Sequence, residues 1–204
     1  KENTTVLDPL DPIIGIQLAT SGDSVAVALN QLEVAAFSSS PIPTIAAAVT
    51  RNIDQLTFAT SGNVNGTVGT ISAQVDVPTS SMMIYERYIF DLGVDRVPLA
   101  RGYNSALLQY YDGTDWVTGL SNVFITNNPY KISISYSGSN ATMAADGVVG
   151  TAKVFDGDFN LGTTATIGSI WNFNGNYIIF GHIKNLRIWN RAFSDSELQA
   201  ITTP

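Results

Sequence analysis

The chain of 204 residues contains no cysteine and a single histidine. Disulfides, thiolate nucleophiles and zinc–thiolate sites all need the cysteine sulfur, so the sequence excludes them. The compartment stays open on this ground, because a protein without disulfides is compatible with any redox environment.

Basic residues are also scarce: 10 Lys and Arg stand against 17 Asp and Glu, which gives a formal net charge of -7. Binding to a phosphate backbone depends on clustered Lys and Arg, so nucleic acid is not expected as a partner. No stretch approaches the roughly 20 apolar residues of a membrane span, and we expect no membrane insertion. The chain opens at Lys1 without a signal-peptide layout, which indicates a processed chain or a piece of something longer.

The composition favours strands and tight turns. Only 13% of the residues are charged, 45% are hydrophobic and 17 are Gly. Between positions 70 and 77, Ile71, Ala73 and Val75 alternate with polar residues, as in a strand with one buried face. Turn-forming stretches such as "SGNVNG" (61–66) and "DGTD" (112–115) separate about ten or more such runs. The sequence therefore predicts an all-β, two-sheet antiparallel sandwich.

Residues 1–43 differ from the rest of the chain. Prolines interrupt them in "DPLDP" (8–12) and "SSSPIP" (38–43). We predict an N-terminal arm or lead-in segment over 1–43 and one domain over 44–204. The apolar run "PIIGIQL" (12–18) should pack on the sandwich or on a partner chain, so we expect a homo-oligomer or a part of a larger assembly.

The C-terminal stretch predicts one short helix. Ser194 and Glu197 form an S-x-x-E capping box, and Phe193 and Leu198 occupy the positions of the hydrophobic staple. The helix should begin at Ser194 and lay Leu198 and Ile201 over an open end of the core.

A strand with a bulge should precede this helix. Ile183 is followed by Leu186 and Ile188, so the inward positions slip by one residue. Such a slip requires a β-bulge, which we place near Lys184-Asn185. We interpret Trp189, at the end of the strand, as packing under the helix.

The same ending, "GHIKNLRIWNRAFSDSEL" (181–198), resembles the closing strand and helix of concanavalin A-like domains of the laminin G and pentraxin type. The stretches "YSGSNATMAADGVV" (136–149) and "TATIGSIW" (164–171) extend the resemblance. It implies a jelly roll of two curved antiparallel sheets, often with a sugar-binding surface and sometimes with a calcium ion at the rim. In the family pattern His182 falls at a variable strand position, so we interpret it as a surface or half-buried histidine.

A second resemblance concerns "VTRNIDQLTF" (49–58), which leads into "GTVGTISAQVDV" (66–77). This pair is similar to the entry of jelly-roll domains in bacteriophage virion and tail proteins, which share a TRxxD motif followed by a strand. The resemblance implies a virion or extracellular location, with a surface glycan or other virion or appendage subunits as partners.

Glycan-cleaving enzymes place two carboxylates across the scissile bond. On this fold they usually stand on one strand as Glu-x-Asp-x-Glu, and no such array exists here. The nearest candidates do not share a strand at that spacing: Asp76, Glu86, Asp91 and Asp95. We therefore expect no enzymatic activity.

A calcium site stays open on one loop. Asp156, Asp158 and Asn160 alternate like the first three ligands of an EF-hand. Leu161 then takes the Gly position and Ile167 the bidentate Glu position, which excludes an EF-hand. A looser rim calcium that also uses backbone carbonyls competes with a solvated turn, and no other cofactor is expected.

Sugar binding needs an aromatic ring for the pyranose C–H groups and planar amides for the hydroxyls. Two stretches, "WNFNGNY" and "RGYNS", supply both, and the candidate residues are Trp171, Asn172, Asn174, Asn176, Tyr177, Tyr103 and Asn104. Asn and Gly also occur in plain turns, and Trp171 is also compatible with core packing at a strand end. Trp116 we interpret as a hairpin aromatic.

Three function classes follow in this order. The first is a non-enzymatic glycan-binding and adhesion module of a virion or tail-type appendage, which attaches to a host surface. The second is a structural virion protein, of a decoration or tail, that uses the jelly roll for subunit assembly. The third, a glycan-cleaving enzyme, fails for want of carboxylates.

Overall fold

The structure is a computed structural model that describes residues 56–77, 87–93, 97–101, 106–124, 129–170, 177–179 and 181–204. All of them belong to one compact unit, Ile53–Pro204. The predicted arm, 1–43, and its boundary with the domain lie outside the described residues, and this division stays a prediction.

The described residues form twelve strands and one helix. The strands are β1 Leu56–Ala59, β2 Val68–Asp76, β3 Arg87–Asp91, β4 Val97–Arg101, β5 Leu108–Tyr111, β6 Trp116–Leu120, β7 Tyr130–Ser137, β8 Asn140–Ala145, β9 Val148–Val149, β10 Lys153–Val154, β11 Thr164–Ile167 and β12 His182–Trp189. The helix is α1 Asp195–Thr202.

The strands make two antiparallel sheets. Sheet A has the order β1-β11-β3-β4-β5-β6, and sheet B has the order β10-β8-β7-β2-β12, with β9 paired to β8. The prediction of an all-β, two-sheet antiparallel jelly-roll sandwich with one short C-terminal helix is confirmed. Among the described residues, no helix has the length and apolar character needed to cross a membrane.

The core lies between the sheets and follows the period of two along the strands. Ile71 and Val75 of β2 face Leu99 and Tyr110 from sheet A, and all four side chains are fully buried. The opposite face of β2 is partly covered, because Thr70 on that face is also fully buried. The C-terminal segment covers it, as described below.

Four aromatic rings close one side of the core. Tyr136 of β7 lies 4.8 Å from Phe159, and Phe159 lies 4.7 Å from Phe155, measured between ring centroids. Tyr110 of β5 meets both phenylalanines at 6.4 Å. Because Phe155 and Phe159 are buried, they anchor the intervening loop, residues 156–158, at the rim of the sandwich.

Strand β12 contains the predicted bulge. Its pairing with β2 shifts register between Lys184 and Arg187, and Asn185 has a φ of 55°. Ile183, Leu186 and Ile188 all pack against the core, as the sequence predicted. Asn suits this position because it tolerates the left-handed conformation better than most residues.

Helix α1 begins as predicted, with Ser194 as its N-cap and a complete capping box to Glu197. Its placement differs from the prediction. The helix contacts β7, β8 and β9 and buries Leu198 on the outer face of sheet B, rather than over an open end of the core.

Hydrogen bonds from sheet B explain this placement. The Phe193 backbone N–H donates to Thr70 Oγ1 at 3.1 Å and to Ser135 Oγ at 2.9 Å. Both hydroxyls belong to outward positions of β2 and β7, so they hold the chain across that outer face before the helix starts. Trp189 is half-buried beside the helix start, with its ring 4.8 Å from the Phe193 ring, and it does not join the core.

Candidate functional site

The outer face of sheet A carries a group of aromatic side chains, which we call the aromatic face: Tyr88, Tyr111, Trp116 and Tyr177. Strand alternation explains their direction. Tyr110 is in the core, so the next residue, Tyr111, points outward. In the same way Val117 packs on the core, and Trp116 points outward.

The rings of the aromatic face contact one another. Tyr88 lies 5.7 Å from Trp116 and 5.1 Å from Tyr177, and Tyr111 lies 5.2 Å from Trp116. Tyr88 is buried, whereas the other three rings are half-buried. The floor beneath them is apolar and consists of Val97, Ala100 and Ile170. The result is an aromatic surface in which three rings keep part of their area accessible.

Polar groups stand beside these rings. Gln109 Nε2 donates to Thr118 Oγ1 at 2.9 Å, and the two residues pair in register on β5 and β6. Asp112 Oδ1 accepts the backbone N–H groups of Thr114 at 2.9 Å and of Asp115 at 3.1 Å. These bonds fix the turn that leads into Trp116. Gln109 is buried and its Nε2 is engaged by Thr118, so the rings are the accessible part of this surface. Aromatic rings of this kind suit the apolar C–H face of a sugar ring.

One of the predicted sugar-binding residues lies in the aromatic face. Tyr177 belongs to the aromatic face and contacts Tyr88. The remaining predictions stay predictions because they lie outside the described residues: Trp171, Asn172, Asn174, Asn176, Tyr103 and Asn104.

Sequence reasoning missed Tyr88 and Tyr111 and interpreted Trp116 as a hairpin aromatic. Trp116 does begin the second strand of the β5–β6 hairpin, but its ring also contacts Tyr88 on β3. The doublet Tyr110-Tyr111 was the available signal, since only one of two adjacent strand residues can face the core. The grouping itself depends on which strands pair.

The loop predicted for calcium has its own hydrogen bonds. Asp156 Oδ1 accepts the Asp158 N–H at 3.3 Å, and Asp158 Oδ1 accepts the Asn160 N–H at 2.7 Å. All three side chains are exposed. Calcium takes about 6–8 oxygen ligands, so these three residues would need backbone carbonyls or waters to complete a site. Calcium binding stays a prediction. The described residues hold no group of three or more His, Asp or Glu placed for a metal ion.

The same loop affects the buried tyrosines beneath it. Burial, followed by the charges of Asp112 and Asp156, raises the pKa of Tyr110 to about 12. Burial, followed by the charge of Asp158, also raises the pKa of Tyr136. Both hydroxyls stay neutral at ordinary pH and donate to carbonyl oxygens, Tyr110 to Val154 at 2.6 Å and Tyr136 to Asn65 at 2.7 Å.

The candidate catalytic carboxylates are separated. Asp76 ends β2 in sheet B, whereas Asp91 ends β3 in sheet A, is fully buried and accepts the Gly93 N–H at 2.8 Å. Glu86 and Asp95 lie outside the described residues. His182 is exposed at the start of β12, in agreement with its prediction as a surface or half-buried residue.

These features define a class: a jelly-roll sandwich with an aromatic outer surface on one sheet. No protein-family model and no curated protein matches the chain. Solved structures do match, and carbohydrate-binding modules, a pentraxin and laminin G domains are among them. They agree with the concanavalin A-like fold that the C-terminal resemblance implied.

Three solved structures illustrate the likeness. A crystallised Bacteroides ovatus protein is similar over 71% of this chain and 43% of its own, with 15% identity and a TM-score of 0.56. The heptameric SAP-like pentraxin of Limulus polyphemus is similar over 66% of this chain and 69% of its own, with 14% identity and a TM-score of 0.53. The CBM40 of a Ruminococcus gnavus IT-sialidase, bound to α2,3-sialyllactose, is similar over 68% of this chain and 84% of its own, with 14% identity and a TM-score of 0.52.

The chain thus spans less than half of the first of these proteins, at 43% of its length. Identities of 14–15% establish a shared fold and assign no residue roles.

Proposed function

We propose that this chain is a non-enzymatic glycan-binding module and that its aromatic face contacts the sugar. The observation that carries the proposal is the group of half-buried rings of Tyr111, Trp116 and Tyr177 on the outer face of sheet A. A pyranose ring offers an apolar C–H face on which such rings can stack. The proposal is further supported by fold-level similarity to a sialyllactose-bound module.

Binding at one such surface would be weak. Shallow sites bury little area, so we expect a dissociation constant near the millimolar range. This corresponds to a favourable binding free energy of about 4 kcal/mol. Repeated display on an assembly would convert weak single contacts into useful attachment. We therefore propose a homo-oligomer or a larger assembly as the working form.

The proposed setting is a virion or tail-type appendage that attaches to a host surface. Its support is the TRxxD entry followed by the strand over 66–77. The molecular mass of the purified assembly that contains this chain tests the setting. A monomer, with no virion or appendage subunit accompanying it, would contradict both the setting and the multivalent display.

The aromatic face is tested with Trp116→Ala, assayed on an array of neutral glycans. Phe193→Ala is the matched control, because Phe193 is also a half-buried aromatic residue but lies on the side of sheet B, away from the aromatic face. We expect Trp116→Ala to lose binding and Phe193→Ala to keep it. Trp116→Phe should keep the fold and part of the affinity. Unchanged binding by a folded Trp116→Ala variant would refute the proposed surface.

A second variant separates adhesion from assembly. The double change Trp171→Ala with Asn174→Ala should reduce glycan or host-cell binding and leave the melting temperature nearly unchanged. If this variant binds normally but no longer assembles, the "WNFNGNY" loop is a subunit contact. The interpretation of the chain as a structural virion protein then replaces the glycan-binding interpretation of that loop.

A further inference from the structure

A second candidate site lies on the other side of the sandwich, on the outer face of sheet B beside α1. A groove of about 160 Å³ is lined there by polar, charged and aromatic side chains. We call it the cationic groove and define it by Gln74, Lys131, Asn185, Arg187, Trp189 and Ile201. It shares no residue with the aromatic face.

The charge of this groove opposes that of the chain. Acidic residues outnumber basic ones by 17 to 10 in the sequence, yet Lys131 and Arg187 line the groove and no Asp or Glu does. Lys131 Nζ donates to the Thr203 backbone oxygen at 2.7 Å, which fixes its position and leaves two further N–H groups. With the described residues, Arg187 makes no hydrogen bond or ion pair, so its guanidinium donors are unused there.

The strand pairing brings these groups together. Lys131 of β7 is in register with Gln74 of β2, and Arg187 of β12 is in register with Ser72. The bulge turns Asn185 toward β2, where its Nδ2 donates to Gln74 Oε1 at 3.2 Å. Ser72 also lines the groove, and its side chain is small.

The lining matches one kind of ligand. The arginine fork binds a carboxylate through two parallel hydrogen bonds, and a nearby lysine adds a second positive charge. The amide groups of Gln74 and Asn185 suit hydroxyls, and the half-buried Trp189 ring suits an apolar C–H face. Pockets for drug-sized ligands measure about 300–1,000 Å³, so this groove fits a single small residue.

We propose that the cationic groove binds one carboxylate-bearing sugar residue of the hexuronic acid type. The inference rests on the proposed glycan binding for the sugar part of the ligand and adds a second site that selects negative charge. The two sites face opposite directions, so each can be removed without the other.

The test is a two-dimensional NMR titration of the ¹⁵N-labelled full chain with D-glucuronic acid, D-glucose and acetate. Glucuronic acid should shift the signals of Gln74, Asn185 and Trp189, whereas glucose and acetate should bind much more weakly. Arg187→Gln should weaken glucuronic acid binding about tenfold or more, since it removes a charge-assisted contact. Lys184→Gln is the matched control, because Lys184 is exposed on the same strand and does not line the groove.

Three results would overturn the inference. If glucose bound as tightly as glucuronic acid, the carboxylate would not contribute to binding. If acetate bound as tightly as glucuronic acid, the sugar ring would not contribute. Equal losses from Arg187→Gln and Lys184→Gln would show that general surface charge, rather than the groove, attracts the ligand.

Trp116→Ala separates this inference from the aromatic face. The variant should bind glucuronic acid as the unchanged chain does. Neutral glycans could fail to bind the unchanged chain and all variants while glucuronic acid still binds through Arg187. That result would support the cationic groove and contradict the aromatic face as a sugar site. If glucuronic acid shifts no groove signal while neutral glycans bind through Trp116, the reverse holds.

Discussion

At the residue scale, a few side-chain oxygens hold the C-terminal segment on sheet B. Thr70 Oγ1 donates to the Arg191 backbone oxygen at 2.9 Å, and Ser135 Oγ donates to the Phe193 oxygen at 3.0 Å. Buried backbone groups need such partners, because leaving them unpaired costs the desolvation free energy. The Ser and Thr residues on the outer face of sheet B therefore bind backbone rather than only face water.

Ser194 and Glu197 provide the first prediction. Ser194→Ala removes the N-cap and should lower the free energy of unfolding by about 1 kcal/mol in denaturant melts. The closest control is Ser196→Ala, since Ser196 is exposed in the same turn and is not the cap. Equal losses from the two changes would contradict the capping assignment.

The carboxylate of Glu197 adds a pH dependence. Its hydrogen bonds from Arg191, at 2.8 Å, and from the Ser194 N–H lower its pKa from 4.5 to about 2. A lowered pKa means that the stabilisation is present above 4.5 and is lost as the pH falls toward 2. An NMR titration of the carboxyl group should show this pKa, and Arg191→Gln should bring it back toward 4.5. An unshifted pKa in the unchanged chain would contradict the geometry.

At the element scale, β12 and α1 act together, because the strand ends where the helix is tethered to the sheet. Leu198 is fully buried on the outer face of sheet B, whereas Trp189 is half-buried. Leu198→Ala should therefore cost about 2–5 kcal/mol of unfolding free energy. Trp189→Ala should lower the unfolding free energy by less than Leu198→Ala does. If the Trp189 ring lay in the core, its removal would be the more costly change.

Denaturant melts of the two variants check this order. Val154→Ala is a suitable control, because Val154 is 81% exposed and its truncation should stay within about 0.5 kcal/mol. A larger loss for Trp189→Ala than for Leu198→Ala would place Trp189 beneath the helix, as the sequence alone suggested.

At the scale of the whole molecule, the sandwich separates two unlike outer faces. Sheet A presents aromatic rings, and sheet B presents the cationic groove next to α1. The two described candidate carboxylates for catalysis, Asp76 and Asp91, stand in different sheets. Binding at either face would need no chemistry from the other.

We therefore predict that the chain does not cleave glycans. Incubation with a broad polysaccharide panel should release no reducing ends and no unsaturated products, because hydrolysis needs two carboxylates across one bond. Activity that disappears in Asp76→Asn, Glu86→Gln or Asp91→Asn would show that the sequence argument missed a catalytic pair.

The sequence by itself determined the features that depend on near neighbours. The alternation in β2 predicts a strand, the slip between Ile183 and Leu186 predicts the bulge, and the pair Ser194 and Glu197 predicts the start of the helix. Each of these features is decided within a few residues, by the period of two or by one local hydrogen bond. The strand count then follows from the spacing of turns.

Only the tertiary structure decided which distant residues meet. Tyr88, the hairpin pair Tyr111 and Trp116, and Tyr177 come from three segments around sheet A. Lys131 and Arg187 line one groove from the two strands on either side of β2. The position of α1 on sheet B, rather than at the end of the core, was likewise fixed by hydroxyls far upstream in the chain. Strand order arises from pairing between remote segments, and local alternation does not encode that choice, although it restricts the register once two strands pair.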